Sequence, residues 1–351
     1  MHTVTLQSLS LHIPVLESRE PTDLHAEAAG LSMGPNAQTL VNKYLDTDES
    51  FAIPSPGSQI LGPAGAVIAE IPATFWRGLR IEPASKRRGS NAPARKRKRP
   101  SESFVRKEPT EQKIHFSAPL VIAADGARSA LRAQLQPAIT SEYAGYVAWR
   151  GCIPEAQTPE PLKGALEGKL VFTMLGGHYI IAYLTPGPTG STKQGDRVFE
   201  WCWYSPSPAG SPSFAEIMTD TVGHRHNKTV PRGQLRDEVF HELIHKSKDP
   251  FVTAITSHRG SASTFYNGKV FLAGEAYTQF RPHLGLSCDL AVLQALTLRE
   301  ALTGDKTMAE YEKAVGDYAA EFSMRSTAMD HFGLTGKWPE GYVPLYAKKP
   351  T

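Results

Sequence analysis

Cysteine is scarce in this 351-residue chain: Cys152, Cys202 and Cys288 are odd in number, far apart and without metal-ligand spacing. A disulfide framework or a cysteine-bound metal does not fit, and a reducing compartment does. No apolar run approaches the roughly 20 residues needed to span a bilayer. The first residues lack the basic flank and unbroken apolar stretch of a secretory signal. No G-x-G occurs anywhere, so the glycine-rich phosphate turn of a dinucleotide-binding βαβ unit is not found. These absences lead to the expectation of a cytoplasmic protein without membrane or metal sites.

What is present is enough chain for two domains with a large core. The 29 glycines and 27 prolines imply many loops and turns. The net charge of +3 is unevenly spread. Arg80 to Lys113 holds twelve Lys/Arg and four Asp/Glu, a local +8, which leaves −5 for the remainder. Within it, residues 81–112 have few apolar side chains and cannot offset their ordering entropy, so a basic, disordered insert is expected. Lys86 to Arg99 has the look of a bipartite nuclear-import signal, and a plain solvated linker would look the same. With Phe104 as its only aromatic, the tract is poorly suited to specific nucleic-acid binding.

Around this insert the pattern changes along the chain. Leu11–Leu16 reads as a strand weakened by Pro14. Pro35–Leu45 reads as a short helix with proline at its first position. Residues 50–72 read as mostly loop. Pro119–Ala124 has the continuous apolar character of a buried parallel strand, and it ends in Asp125-Gly126 before a helix carrying Arg128 and Arg132. The middle third is rich in β-branched and aromatic residues, with strands at 146–150, 178–184 and 197–204, the last two forming a hairpin. A helical stretch is expected near Arg236–Lys248. The strand Lys269–Ala273, the loop from Gly274, a buried helix Cys288–Leu302 stopped by Gly304, and an amphipathic helix Met308–Arg325 complete the chain.

Two segments far apart in sequence share one grammar of buried strand, acid beside glycine, tight turn and helix. They are Val121–Arg132 and Gly274–Leu290. Such a loop gathers backbone amides and the positive end of a helix macrodipole on one bound anion or electron-rich carbonyl. Asp125 alone would read as a helix cap. Glu275 alone would read as a surface acid, His283 as a satisfied loop histidine, and Trp149, Trp201 and Trp203 as sheet-face core.

Taken together, Asp125-Gly-Ala-Arg-Ser-Ala-Leu-Arg132 matches the D-G-x-x-S-x-x-R motif of the class A FAD-dependent aromatic-ring monooxygenases. Gly274–Leu290 resembles the same family's second flavin motif, with Glu275 for its Asp, Ser287 for a glycine and Gln294 for a helix Asp. Arg281-Pro-His-Leu-Gly285 and Tyr143–Gly151 are similar to the 2,6-dihydroxypyridine-hydroxylase-like branch. The resemblance implies an α/β fold: a three-layer, Rossmann-like FAD-binding domain of the glutathione-reductase type with an antiparallel substrate sheet. It also leads to the expectation that the FAD-binding domain is incomplete at the N-terminus. The implied division is 1–80 and 113–142 in the FAD-binding domain, 143–256 in the substrate domain, and 257–351 returning to the FAD-binding domain.

The resemblance further implies FAD as cofactor, NADH or NADPH as reductant, and O₂ and a small aromatic ring as partners. Cofactor contacts are expected at Glu17, Asp125, Gly126, Arg128, Gly274, Glu275, Gly285, Leu286 and Ser287. Trp149, His178, Arg281 and His283 are expected on the substrate side. A fold of this ancestry that no longer holds FAD and serves as an interaction module is the alternative.

Overall fold

The structure, a computed structural model, describes residues 1–7, 9, 11–17, 32–45, 52–55, 57–72, 117–158, 168–236 and 247–344. The basic tract at 81–112 and most of the helical stretch expected near Arg236–Lys248 lie outside the described residues.

The middle of the chain is built on alternation. Strands β3 (Val121–Ala123), β4 (Glu142–Pro154), β5 (Lys169–Met174), β6 (Tyr179–Thr185), β7 (Val198–Pro206), β8 (Thr229–Val230) and β9 (Lys248–Arg259) follow in order. All but β3 join a nine-stranded, mostly antiparallel sheet in the order β12-β9-β4-β7-β6-β5-β1-β2, with β8 on β9 and with β12 formed by Thr278–Gln279. In it, β1 (Gly57–Leu61) and β2 (Val67–Pro72) form a hairpin whose first strand runs parallel to β5. The expected loop at 50–72 is therefore a hairpin in its second half. Ser58 and Ile60 are buried on the same side of β1, with the less buried Gln59 between them, a strand signal that the flanking glycines and prolines obscure.

Period-2 alternation gives the large sheet two different faces. Val147, Trp149, Val171, Ala182 and Trp201 pack on one. Tyr146, Phe172, Tyr179, Ile181, Cys202 and Tyr204 pack on the other. The second face is covered by the end of helix α6 (Met308–Thr335), through Met329 and Phe332.

A second sheet holds only β10 (Thr264–Phe265), β11 (Val270–Leu272) and β3, with β11 and β3 parallel. Helix α5 (Ser287–Thr303) and the first half of α6 bury Leu290, Leu298, Tyr311 and Val315 against Phe271 and Leu272. Helices α1 (His2–Gln7) and α2 (Pro35–Tyr44) add Leu6, Ala37 and Leu40 to this layer. Two short helices, α3 (Ala130–Leu135) and α4 (Pro212–Ile217), complete the α-helices among the described residues.

Three expectations need correction. Leu11–Leu16 has no regular secondary structure and pairs with no strand among the described residues, leaving Val15 67% and Leu16 66% exposed. Pro14 lacks the amide that pairing would use. Strand β3 is parallel as expected, yet Val121 is 44% exposed, because no strand among the described residues pairs with its other edge. Helix α6 runs past Arg325 to Thr335, since Ala328, Met329 and Phe332 continue its apolar stripe onto the sheet.

Two glycines inside α6 carry opposite expectations. A Cβ at Gly316 meets nothing within 4 Å, whereas one at Gly333 would enter the ring of Tyr179. Helix propensity alone favours alanine over glycine by about 1 kcal/mol. Gly316→Ala is expected to raise stability by that amount in urea unfolding. Gly333→Ala is expected to lower it by about 1–3 kcal/mol, the usual cost of overpacking.

Candidate functional site

Strands β3 and β11 lie side by side and parallel, and each ends in one of the two motifs. Ligands in open α/β sheets bind beyond the carboxyl ends of the strands, where these loops converge. The Asp125 carboxylate accepts the amide of Ala130 at 2.9 Å, closing the turn that leads into α3. Ser129 caps that helix through the amide of Arg132 at 3.0 Å.

Arg132 joins the two motifs. Its guanidinium is buried and donates to the carbonyls of Glu275 (3.3 Å), Ala276 (3.1 Å) and Ala127 (2.6 Å). Arg132 thus binds backbone in both motifs, and so fixes one loop against the other. Arg128, on the neighbouring short 3-10 turn, is exposed.

Further residues hold the Gly274 loop from behind. Gln294 accepts the amide of Gly274 at 2.7 Å and donates to the carbonyl of Leu272 at 2.9 Å. An ionised aspartate could not make both bonds, because it has no donor. His258 engages the Glu275 carbonyl through Nε2 at 3.1 Å and Ser141 Oγ through Nδ1 at 3.0 Å. Burial pushes the Glu275 carboxylate above its ordinary range, against the opposing pull of Lys228 and Arg150. That is the setting of a desolvated hydrogen-bonding acid rather than a surface one.

Beyond this loop, Gly285 sits at φ 64°, a left-handed conformation that favours glycine, and Leu286 begins α5 without a side-chain cap. The amides of the first helical turn therefore keep their unmet donors and the macrodipole's positive end. Ser32 covers the other side: its Oγ would lie 2.6 Å from a Cβ on Gly285. Glycine at 285, the uncapped helix start and the desolvated Glu275 suit the carbonyl-bearing ring and hydroxylated chain of a flavin. Glu17 is exposed and stands in the 11–17 segment, which forms no sheet strand among the described residues.

The four expected substrate-side residues divide between the two faces of the large sheet. His283 is buried, with Tyr146 Oη 2.6 Å from Nε2 and the Tyr179 hydroxyl on Nδ1. Tyr204 meets its ring edge-on at 4.6 Å between centroids. Burial, then Arg281 and Arg150, hold the imidazole well below its ordinary pKa and hence neutral. Arg281 pairs with Asp330 of α6. Trp149 instead lies on the opposite face, where its Nε1 donates to Ser205 Oγ at 3.1 Å. His178 packs there too, edge-on to Trp203 at 5.6 Å. Strict alternation along β4 separates Trp149 from Tyr146, so Trp149 and His178 do not join this cluster.

Several residues escaped the sequence. Asp289 is fully buried and takes the amide of Ala37 (2.9 Å), Nδ2 of Asn36 (2.7 Å) and the hydroxyl of Tyr318 (3.0 Å). It thus serves the N-termini of α2 and α5 at once, where a negative charge is favourable. A helix starting Gly34-Pro35, with no side-chain cap, was the available hint that an acceptor comes from elsewhere.

Comparison with known proteins supports the fold. A family model described as "FAD binding domain-like" matches residues 143–257. The 2,6-dihydroxypyridine 3-monooxygenase of Paenarthrobacter nicotinovorans is 30% identical over 198 residues, 52% of this chain and 48% of that protein. The chain is a homologue of a hydroxypyridine monooxygenase and has the fold of the FAD-dependent hydroxylases. The matched sequence spans about half the length of that relative. The 2,6-dihydroxypyridine-3-hydroxylase structure from Arthrobacter nicotinovorans superposes with a TM-score of 0.73 at 20% identity, over 100% of this chain and 95% of the other. The HpxO protein of Klebsiella pneumoniae, complexed with FAD, superposes with a TM-score of 0.64 at 18% identity, over 96% and 87%. Among the described residues, no helix is long and apolar enough to cross a membrane, and no His/Cys/Asp/Glu group is arranged to hold a metal.

Burial, then the charges of Arg132 and Lys228, depress the pKa of His258 from 6.5 to about 4. Its contribution to stability is therefore complete above 6.5 and is lost as pH falls toward 4, where the unfolded chain takes the proton first. In His258→Gln, the fall in urea midpoint across that window is expected to be smaller than in the wild type.

Proposed function

We propose that this chain is an FAD-dependent monooxygenase that hydroxylates a small electron-rich aromatic or hydroxypyridine-like ring with NADH or NADPH and O₂. The observation that carries the reading is the Arg132 bridge, which draws both motif loops to one place beyond the ends of two parallel strands. FAD, when bound, supplies the redox chemistry. Asp125, Gly126 and Arg128 stand on one side of that place, and Gly274 and Glu275 on the other.

The chain's own residues do the positioning. Glu275 would accept hydrogen bonds from the cofactor's hydroxylated chain. Gly285 would allow close approach, and the amides of Leu286 and Ser287 at the start of α5 would favour negative charge at the ring edge. His283, Tyr146, Tyr179 and Tyr204, all buried, form an aromatic, water-excluding layer behind the substrate side, with partly exposed Arg281 at its edge. Neutral His283 can donate from one ring nitrogen and accept at the other, which satisfies both tyrosine hydroxyls without a buried charge. A cytoplasmic location, with nuclear import through Lys86–Arg99 as a variation, accompanies this reading.

The purified protein is expected to be yellow, with flavin absorbance near about 450 nm, or to become so on addition of FAD. Glu275→Ala is expected to weaken FAD binding by about ten-fold, the loss of one charge-assisted hydrogen bond, and Glu275→Asp to preserve it. A colourless protein that takes up no FAD would remove the enzyme reading and leave an interaction module of the same fold.

A further inference from the structure

His258, which braces the Gly274 loop through the Glu275 carbonyl, also lines a cleft of about 280 Å³. The cleft is bounded by the end of β9, the segment leading into β4, the Gln279–Arg281 stretch and α6. Its size falls just under the roughly 300–1,000 Å³ of drug-sized pockets, which suits a small molecule.

Strand register places three of its polar residues on one face. Glu142 of β4 is directly opposite Ser257 of β9, and Arg259 lies two residues further along β9. Glu142 and Arg259 are thus diagonal neighbours of opposite charge, near enough for long side chains to meet. They stay apart: neither enters an ion pair among the described residues, and both are exposed. Arg281, the other cation of the cleft, is already paired with Asp330. One open cation and one open anion therefore line the same small space. Helix α6 adds the hydroxyls of Ser323, Ser326 and Thr327, and Ile139 and Phe280 add apolar surface.

A phosphate or dicarboxylate would meet a like charge at Glu142, and a diamine would meet one at Arg259. A molecule with one ammonium, one carboxylate and a short apolar chain answers all of these features. We infer that this cleft is a second binding site, for a small zwitterion of the α-amino-acid type, with its carboxylate at Arg259 and its ammonium at Glu142. An occupant would bear on the same histidine that braces the candidate cofactor loop. The site lies beyond the proposed function, and its occupation does not require FAD.

Calorimetric titration of the full chain, with and without added FAD, tests L-leucine, L-methionine and L-phenylalanine at millimolar concentration. Each is compared with the analogue lacking its ammonium and the analogue lacking its carboxylate. For leucine these are 4-methylpentanoate and 3-methylbutylamine. At least one amino acid is expected to bind about ten-fold or more tightly than both of its analogues, as one charge-assisted contact at each end would give. Arg259→Gln is expected to remove the preference over the amine, and Glu142→Gln the preference over the carboxylate. Both residues are exposed, one opening β4 and the other closing β9, so circular dichroism should be unchanged. Failure of the wild type to bind any of the three overturns the inference without recourse to a variant. Equal binding of the analogues, or preferences that survive both substitutions, overturns it too. Amino-acid binding by a protein that takes up no FAD would overturn the proposed function and leave this site standing; FAD uptake without amino-acid binding would do the reverse.

Discussion

One guanidinium holds the candidate site together. Arg132 spends its donors on three backbone carbonyls, two of them in a loop more than 140 residues away. Backbone acceptors cannot rotate away as side chains do, so this contact fixes loop against loop. Gln294 and His258 bind the same loop from other directions. Removing Arg132 would leave carbonyls unmet in the interior, each at a cost of about 1–3 kcal/mol. The geometry around Glu275 depends on that bridge, because Glu275 contributes one of the bridged carbonyls.

The large sheet supplies the second constraint. Its alternation separates a tryptophan face from a tyrosine face, and only the latter meets the Arg281–Gly285 segment. His283 is consequently set among phenols, its two nitrogens both occupied. A polar group so enclosed is fully satisfied without charge, which fits a layer that excludes water.

Much of this was legible in the sequence, for identifiable reasons. The D-G segment at 125–132 and the loop at 274–287 were found because strand, turn and helix leave short-range patterns. The β6–β7 hairpin was found because β-branched and aromatic residues mark both strands. Strands β1, β2 and β9 were not found, since glycine and proline flank the first two and the third depends on partners far along the chain. Trp149 and His178 were grouped with His283 because aromatic character does not report which face a residue occupies. Asp289 was invisible because its donors lie about 250 residues upstream, and no local pattern records so distant a match.

That last contact also sets an order of assembly. The acceptor for the first turn of α2 is Asp289 Oδ1, 252 positions further along. A ribosome adding about 5–20 residues per second makes that carboxylate on the order of ten to fifty seconds after the helix it caps. Until then α2 has an uncapped start and only ten residues, too few for an isolated helix to persist in water. The N-terminal layer of this protein is thus synthesised early and completed late, and its docking is the step that waits on the C-terminal third.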